Sequence, residues 1–385
     1  MMSRQDFQRR MPEAARAFSR PTRLAERFHI DFFLLLLLLA LTTIGLTVLY
    51  SASGHNLPSV EKQGSFFMIA YATMFVVAQI PVDFMRRMAP FAYVGGVFLL
   101  LAVTIFGDIS MGAQRWLQLG SFRFQPSEIM KLAMPITIAA YLSSGHLPPR
   151  FTRVIAVLVL IGIPTALIIE QPDLGTSILV ATSGLMVLFF SGLLWRYIAA
   201  AVVIFGASLW PIWHYMLHDY QRQRVLTMLD PTQDPLGTGW NIIQSKTAIG
   251  SGGLSGKGWM EGTQSRLDFL PEGHTDFIIA VMSEEFGLFG VILLLTIYSL
   301  VIIRGLTIAV KSQNTFGRLL AASVSSTFFV YVFVNMGMVS GMLPVVGVPL
   351  PLISQGGTAI VALFAGFGIL MAISTEQKRV MTPQS

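Results

Sequence analysis

Ten separate runs of about 17 to 25 mostly apolar residues recur along the chain, each long enough to cross ~30 Å of hydrocarbon as a helix. They fall near 31–50, 65–80, 89–106, 127–143, 152–169, 175–191, 195–214, 277–303, 317–342 and 352–374. No single soluble core could absorb this much apolar side chain: 54% of the residues are hydrophobic and 12% are charged, with a mean hydropathy of +0.66. The bilayer is the solvent such a composition calls for. The expected fold is an all-α, polytopic integral membrane protein with about ten transmembrane helices. One transmembrane domain spans 31–374, between a basic segment, 1–30, and a tail, 375–385.

The first run, "DFFLLLLLLALTTIGLTVLY", is too long for a secretory signal and follows an Arg-rich leader, so it reads as an uncleaved first helix. The chain has no cysteine, which excludes a disulfide framework and a thiolate metal site.

Lysine and arginine set the orientation. With the N-terminus inside, seven Arg precede the first span, and Arg86, Arg87, Arg150, Arg153, Arg196, Arg304, Lys311, Arg318, Lys378 and Arg379 fall in inner segments: seventeen of the 26 basic residues. The short outer loops hold Lys62, Arg115 and Arg123. Five more lie in a long outer loop, about 215–276, between helices 7 and 8, which the positive-inside rule discounts, and Lys131 lies within the fourth span. Both termini are therefore expected in the cytoplasm. The net charge of +6 is accounted for by topology and gives no reason to invoke nucleic acid.

The inner connections are short and basic, whereas the outer ones carry the unusual chemistry. In "QPSEIMK", Glu128 and Lys131 share a helix face at i and i+3 and can neutralise each other where a lone charge is costly. That pair either only seats the helix or belongs to a site. Arg115 beside Trp116 offers a fork for phosphate and a flat apolar face for a sugar, or else an aromatic-belt anchor. Asp173 in "EQPDLGTS" is placed either to cap the sixth helix or to act at its mouth. The glycine-rich "QSKTAIGSGGLSGKGW" lacks the spacing of a phosphate-binding loop and reads as a flexible or closely packed segment, with Lys246 and Lys257 as phosphate contacts if it has any.

Asp276, in "LPEGHTDFIIAVMSEEFG", opens the eighth span, where it is either a helix cap or a general base. Glu284 and Glu285 lie about 12 to 13 Å further along the same helix, too far to share its proton. They read as structural, or as partners of a group on another helix.

Four stretches together, "GAQRWLQLGSFRFQPSEIMKLA", "EQPDLGTS", "LPEGHTDFIIAVMSEEFG" and "NMGMVSGMLPVVGVPLPLISQGGTAIVALFAGFGILMAI", resemble the SEDS family (shape, elongation, division and sporulation) over nearly the whole chain. "GMLPVVGVPLPLIS" is more similar to its RodA branch than to FtsW. Ser354-Gln355-Gly356-Gly357 stands where the family usually has SYGG, so the ring of that motif is absent from this chain.

The resemblance implies a peptidoglycan glycosyltransferase that polymerises lipid II during elongation, with a class B penicillin-binding protein as its partner and lipid II, nascent glycan and membrane lipids around it. It maps the family's essential aspartate onto Asp276, its helix-four ion pair onto Glu128 and Lys131, and its outer-loop groups onto Arg115, Trp116 and Asp173; Lys246 and His274 join them as expected substrate contacts. The pyrophosphate leaving group calls for cations, which Arg115, Lys246, Arg222, Arg224 or a divalent ion (Mg or Mn) would supply. A lipid II flippase would instead use Glu284 and Glu285 as part of a path. A scaffold for the transpeptidase is the third reading.

Overall fold

The computed structural model describes residues 28–110, 113–119, 122–217, 219–234, 237–263 and 273–380. Most of the basic segment 1–30, with all seven of its arginines, and the last five residues of the tail lie outside them. Each of the ten apolar runs lies mainly on a helix. In chain order these are α1 (Phe32–Ala52), α2 (Leu57–Ala78), α3 (Val82–Phe106), α4 (Pro126–Ser143), α5 (Phe151–Glu170), α6 (Leu174–Phe190) and α7 (Trp195–Pro211). Two further helices, α8 (Asp219–Leu229) and α9 (Thr238–Gly252), occupy the long loop, and α10 (Ile278–Lys311), α11 (Thr315–Val339) and α12 (Gly357–Val380) follow. Among the described residues, seven helices are long and apolar enough to cross a membrane: α1, α3, α5, α7 with its π-helical extension, α10, α11 and α12. Helix α6 is apolar but only 17 residues long.

Polar residues at the helix ends explain where several elements start. The Asp31 side chain accepts from the Leu34 N–H at 3.1 Å and caps α1, and Asn314 does the same for α11 through Phe316 at 3.2 Å. Asp31 also receives the Arg304 guanidinium, with Nη2 to Oδ2 at 2.5 Å, which locks the start of α1 to the far half of α10. Pro126 opens α4 at a position where its missing N–H costs nothing.

Helix α4 is central, packing on α3, α6 and α11, while α12 lies along α2. That last contact is close: a side chain at Gly368 would place its Cβ 2.6 Å from the Met74 carbonyl oxygen. Helix α7, by contrast, buries none of its side chains.

Three features depart from the plain helical reading. A small antiparallel sheet, β1 (Asp108–Ser110), β2 (Ala113–Leu119) and β3 (Phe122–Phe124), joins α3 to α4 and carries Arg115 and Trp116 on its middle strand. The expected span 277–303 is not one continuous helix, because α10 breaks at Gly287, whose φ of 64° and ψ of −162° suit glycine alone. The backbone groups freed there are taken up by the glycine-rich segment, which is closely packed: Lys257 N donates to Glu284 O and Gly258 N to Glu285 O, while Leu288 N donates to Gly253 O and Phe289 N to Leu254 O, all at 3.0–3.1 Å. Irregular backbone of this kind is tolerated in a membrane protein where protein groups satisfy it.

The third departure is the start of the last expected run, 352–374. Residues 343–356 form a non-helical segment that inserts into the bundle, with Val348, Leu350, Leu352 and Ile353 buried, and the helix begins only at Gly357. Side chains satisfy its backbone. Tyr298 donates to Pro351 O at 2.6 Å, Gln63 to Ser354 O at 3.1 Å, and the Ser354 hydroxyl accepts from Leu350 N at 2.8 Å.

Candidate functional site

At the end of the bundle where β2, the first turns of α4 and α6, and the 343–356 segment meet, a polar cavity of about 290 Å³ opens. Each wall brings its own chemistry. Helix α4 contributes Glu128 and Lys131, joined at 2.7 Å and both buried, as their i, i+3 spacing requires. The Lys131 ammonium also lies 5.3 Å from the centroid of the Tyr331 ring on α11. Glu128 Oε2 is buried and makes no hydrogen bond with the protein, so it has acceptor capacity left at the cavity wall.

Asp173 caps α6, accepting from Thr176 N at 3.2 Å, but it also accepts from Gln125 Nε2 at 2.8 Å and has Arg115 Nε 3.8 Å away. Arg115 is held in addition by the Pro172 carbonyl. Capping and site-building are therefore done by one carboxylate, which orients the guanidinium at the cavity. Trp116 lines the same space, with Arg123 over its ring at 4.9 Å.

Asp276 lies beside the cavity at Gly347. It is not the capping residue of α10; that position is Phe277, which makes no side-chain cap bond. The Asp276 carboxylate instead faces Gly347, which lines the cavity: a Cβ at Gly347 would lie 3.6 Å from Asp276 Oδ2. Asn335 on α11, wholly buried, fixes this arrangement by donating to Asp276 O and Val348 O, both at 2.8 Å. His274 contributes through its backbone, its carbonyl accepting from Gln355 N at 3.1 Å. Gln355 itself lines the cavity.

The structure thus brings Arg115, Trp116, Glu128, Lys131 and Asp173 to one cavity and Asp276 to its edge. Other expected cations are elsewhere. Lys246 is exposed on α9, its stem against Gly341, and is not part of the lining. Lys257 is bound to Glu284 at 2.6 Å, and Arg222 to the His214 carbonyl at 3.0 Å. Neither they nor Arg224 line the cavity. Among the described residues, no group of three or more His, Cys, Asp or Glu is placed to hold a metal ion. Glu284 and Glu285 are fully buried and tied to other elements: Glu284 to Lys257 and Thr263, Glu285 to the Ser51 hydroxyl on α1.

Gln125, Tyr331 and Asn335 escaped the sequence reading. Asn335 did leave a signal, since a lone amide in the apolar run "VFVNMGM" is costly in a membrane unless it is paired.

Comparison with known proteins identifies relatives over most of the chain. The sequence pattern of a cell cycle protein family comprising FtsW, RodA and SpoVE matches residues 31–379. The peptidoglycan glycosyltransferase MrdB of Escherichia coli K12 is 54% identical over 353 residues, covering 92% of this chain and 95% of that one. A probable peptidoglycan glycosyltransferase FtsW of Geobacter metallireducens is 36% identical over 367 residues, covering 92% and 97%. Among solved structures, a chain from work on the structural coordination of polymerization and crosslinking by a peptidoglycan synthase complex superposes with a TM-score of 0.79 at 29% identity, covering 90% of this chain and 98% of that one. The rod shape determining protein RodA of Thermus thermophilus gives a TM-score of 0.68 at 25% identity, covering 90% and 97%.

Proposed function

The chain belongs to the FtsW, RodA and SpoVE family of cell cycle proteins, and from that premise we propose a mechanism for it centred on Asp276. It is a multi-pass membrane peptidoglycan glycosyltransferase of the RodA/MrdB branch, acting in rod-shape elongation. The observation that carries the mechanism is the meeting of one carboxylate, Asp276, with a cavity that holds two cations, Arg115 and Lys131.

In this reading Asp276 takes the proton from the GlcNAc 4-hydroxyl of lipid II. The oxygen attacks the anomeric carbon of the lipid-linked MurNAc at the end of the growing chain. The bond from that carbon to the pyrophosphate oxygen breaks with its electron pair, and undecaprenyl pyrophosphate leaves with inversion. Its charge develops where Arg115, held by Asp173 and Pro172, and Lys131, held by Glu128, already point. Because phosphate is a good leaving group, a second acidic carboxyl of the kind glycosidases need is dispensable.

All ten long apolar helices, including α2, α4 and α6, span the bilayer in this reading, with both termini inside and the cavity opening outside, as the basic residues direct. The partner is a class B penicillin-binding protein, in keeping with the peptidoglycan synthase complex that the fold matches. The flippase reading loses the feature that prompted it, because Glu284 and Glu285 serve as anchors for the 251–263 segment and α1.

Asp276→Asn tests the mechanism. Asparagine keeps the shape while removing the basic oxygen, so polymerisation of lipid II in detergent should fall by about 10²- to 10⁴-fold with complex assembly intact. Wild-type polymerisation by that variant would overturn the assignment.

A further inference from the structure

Gln355 differs from the other polar residues of the cavity in having a fixed backbone and an unused side chain. Gln63, buried on α2, grips the chain on both sides of it, donating from Nε2 to Ser354 O at 3.1 Å and accepting at Oε1 from Gly356 N at 3.4 Å. Between those bonds, Gln355 N donates to His274 O at 3.1 Å. Leu352, three residues earlier, is held at a φ of 63°, a left-handed backbone that L side chains rarely adopt. The segment thus carries local strain in presenting Gln355 at a set place.

The Gln355 side chain is half-buried at the cavity wall, and among the described residues its amide makes no hydrogen bond. The other amide of the lining, Gln125, is occupied in holding Asp173. One acceptor oxygen and two N–H donors of Gln355 are therefore left for a bound molecule. We infer that Gln355 recognises the acetamido group of an amino sugar beside the reacting atoms, and so selects N-acetylated substrates. The inference rests on the glycosyltransferase reading and adds to it a residue for substrate selection.

The choice follows from the groups such substrates carry. Phosphate is matched by Arg115 and Lys131, whose charge-assisted bonds are roughly twice as strong as those of a neutral amide. An acetamido group instead holds one N–H and one C=O in a plane, so a primary amide meets it with two hydrogen bonds. Each reacting sugar has one. In the donor it sits on the carbon next to the anomeric carbon, and in the acceptor it sits on the ring that bears the attacking hydroxyl. Gln355 is placed near both reacting atoms, because its backbone is bonded to His274, two residues from Asp276, and Gly347, which faces Asp276 Oδ2, lines the same cavity.

The test uses the full chain with its transpeptidase partner and two lipid II analogues that react once with each other. One has its 4-hydroxyl methylated and only donates. The other has a methylene in place of the oxygen between the anomeric carbon and phosphate and only accepts. Each is made with the acetamido group of its reacting sugar intact or replaced by hydroxyl. Gln355→Met keeps the length of the side chain without its amide. With both acetamido groups present it should lower kcat/KM for coupling by about 10- to 100-fold, as loss of two neutral hydrogen bonds implies. Once the acetamido group that Gln355 reads is removed, wild type and variant should agree within about twofold, and the analogue that brings the agreement tells donor from acceptor. The unfolding temperature should not change, since the amide holds no protein group among the described residues. Gln355→Ala is read in the same way where methionine alters folding. An equal loss on every substrate pair, or wild-type coupling by the variant with both acetamido groups present, would overturn the inference. Failure of the wild-type complex to polymerise lipid II itself would overturn the glycosyltransferase reading instead.

Discussion

The buried amide of Asn335 donates one hydrogen bond to the carbonyl of Asp276 and another to the carbonyl of Val348, each at 2.8 Å. Two loops that meet at the cavity are thereby held at a set distance by one side chain. Asn335→Leu removes both bonds, a cost of about 1–3 kcal/mol for each. The expected result is a lower unfolding temperature in detergent and a fall in kcat for polymerisation larger than any change in KM. Unchanged kcat in a destabilised variant would show that the tie supports the fold alone.

The Glu128–Lys131 pair is buried, so removing one partner strands the other. Either Glu128→Ala or Lys131→Ala should destabilise the protein by about 3–5 kcal/mol. The exchange Glu128→Lys with Lys131→Glu should recover folding but not polymerisation, because it moves the cation away from Tyr331. Melting curves and lipid II turnover on the same preparations separate the two effects.

Glu284 is wholly enclosed and accepts from Lys257 Nζ at 2.6 Å and Thr263 N at 2.9 Å. Lys257→Met leaves that carboxylate without its cation and should cost several kcal/mol, whereas Lys257→Met combined with Glu284→Gln should recover much of the loss. Limited proteolysis of the 251–263 segment gives a direct measure: protection in the wild type, cleavage in the single variant, and restored protection in the double.

Topology is open to a reporter that works only outside the cytoplasm. Fused after Gln233 it should be active, and fused after Arg150 or Lys378 it should be silent. The reverse pattern would place the cavity on the cytoplasmic face.

Polymerisation by the purified chain should be slow, and the class B partner should accelerate it even with its transpeptidase serine blocked. An acceleration that disappeared on blocking the serine would mean that cross-linking, rather than contact between the proteins, drives the rate.

Helix positions were legible in the amino-acid order because lipid leaves a helix or a closed barrel as the only way to satisfy a spanning backbone. The runs at 127–143, 152–169 and 175–191 lie within one residue of α4, α5 and α6 at both ends. Arg115, Glu128, Lys131, Asp173 and Asp276 were legible as charged groups beside apolar runs, where a charge needs a reason. The break of α10 was not, since Gly287 sits in an apolar stretch like any helical glycine. Only the distant 253–258 backbone, bonded across it, allows the helix to stop there.

By itself, then, the order of residues determined a membrane-embedded helical bundle, because hydrophobicity acts over short windows of chain. Which polar groups share a cavity was decided by tertiary structure alone. Asp276 reaches the cavity through Asn335, 59 residues away, and Gln63 holds the loop beside it across 291 residues. Contacts of that separation leave no periodicity to read, and they form only when packing of the apolar faces has brought the helices together.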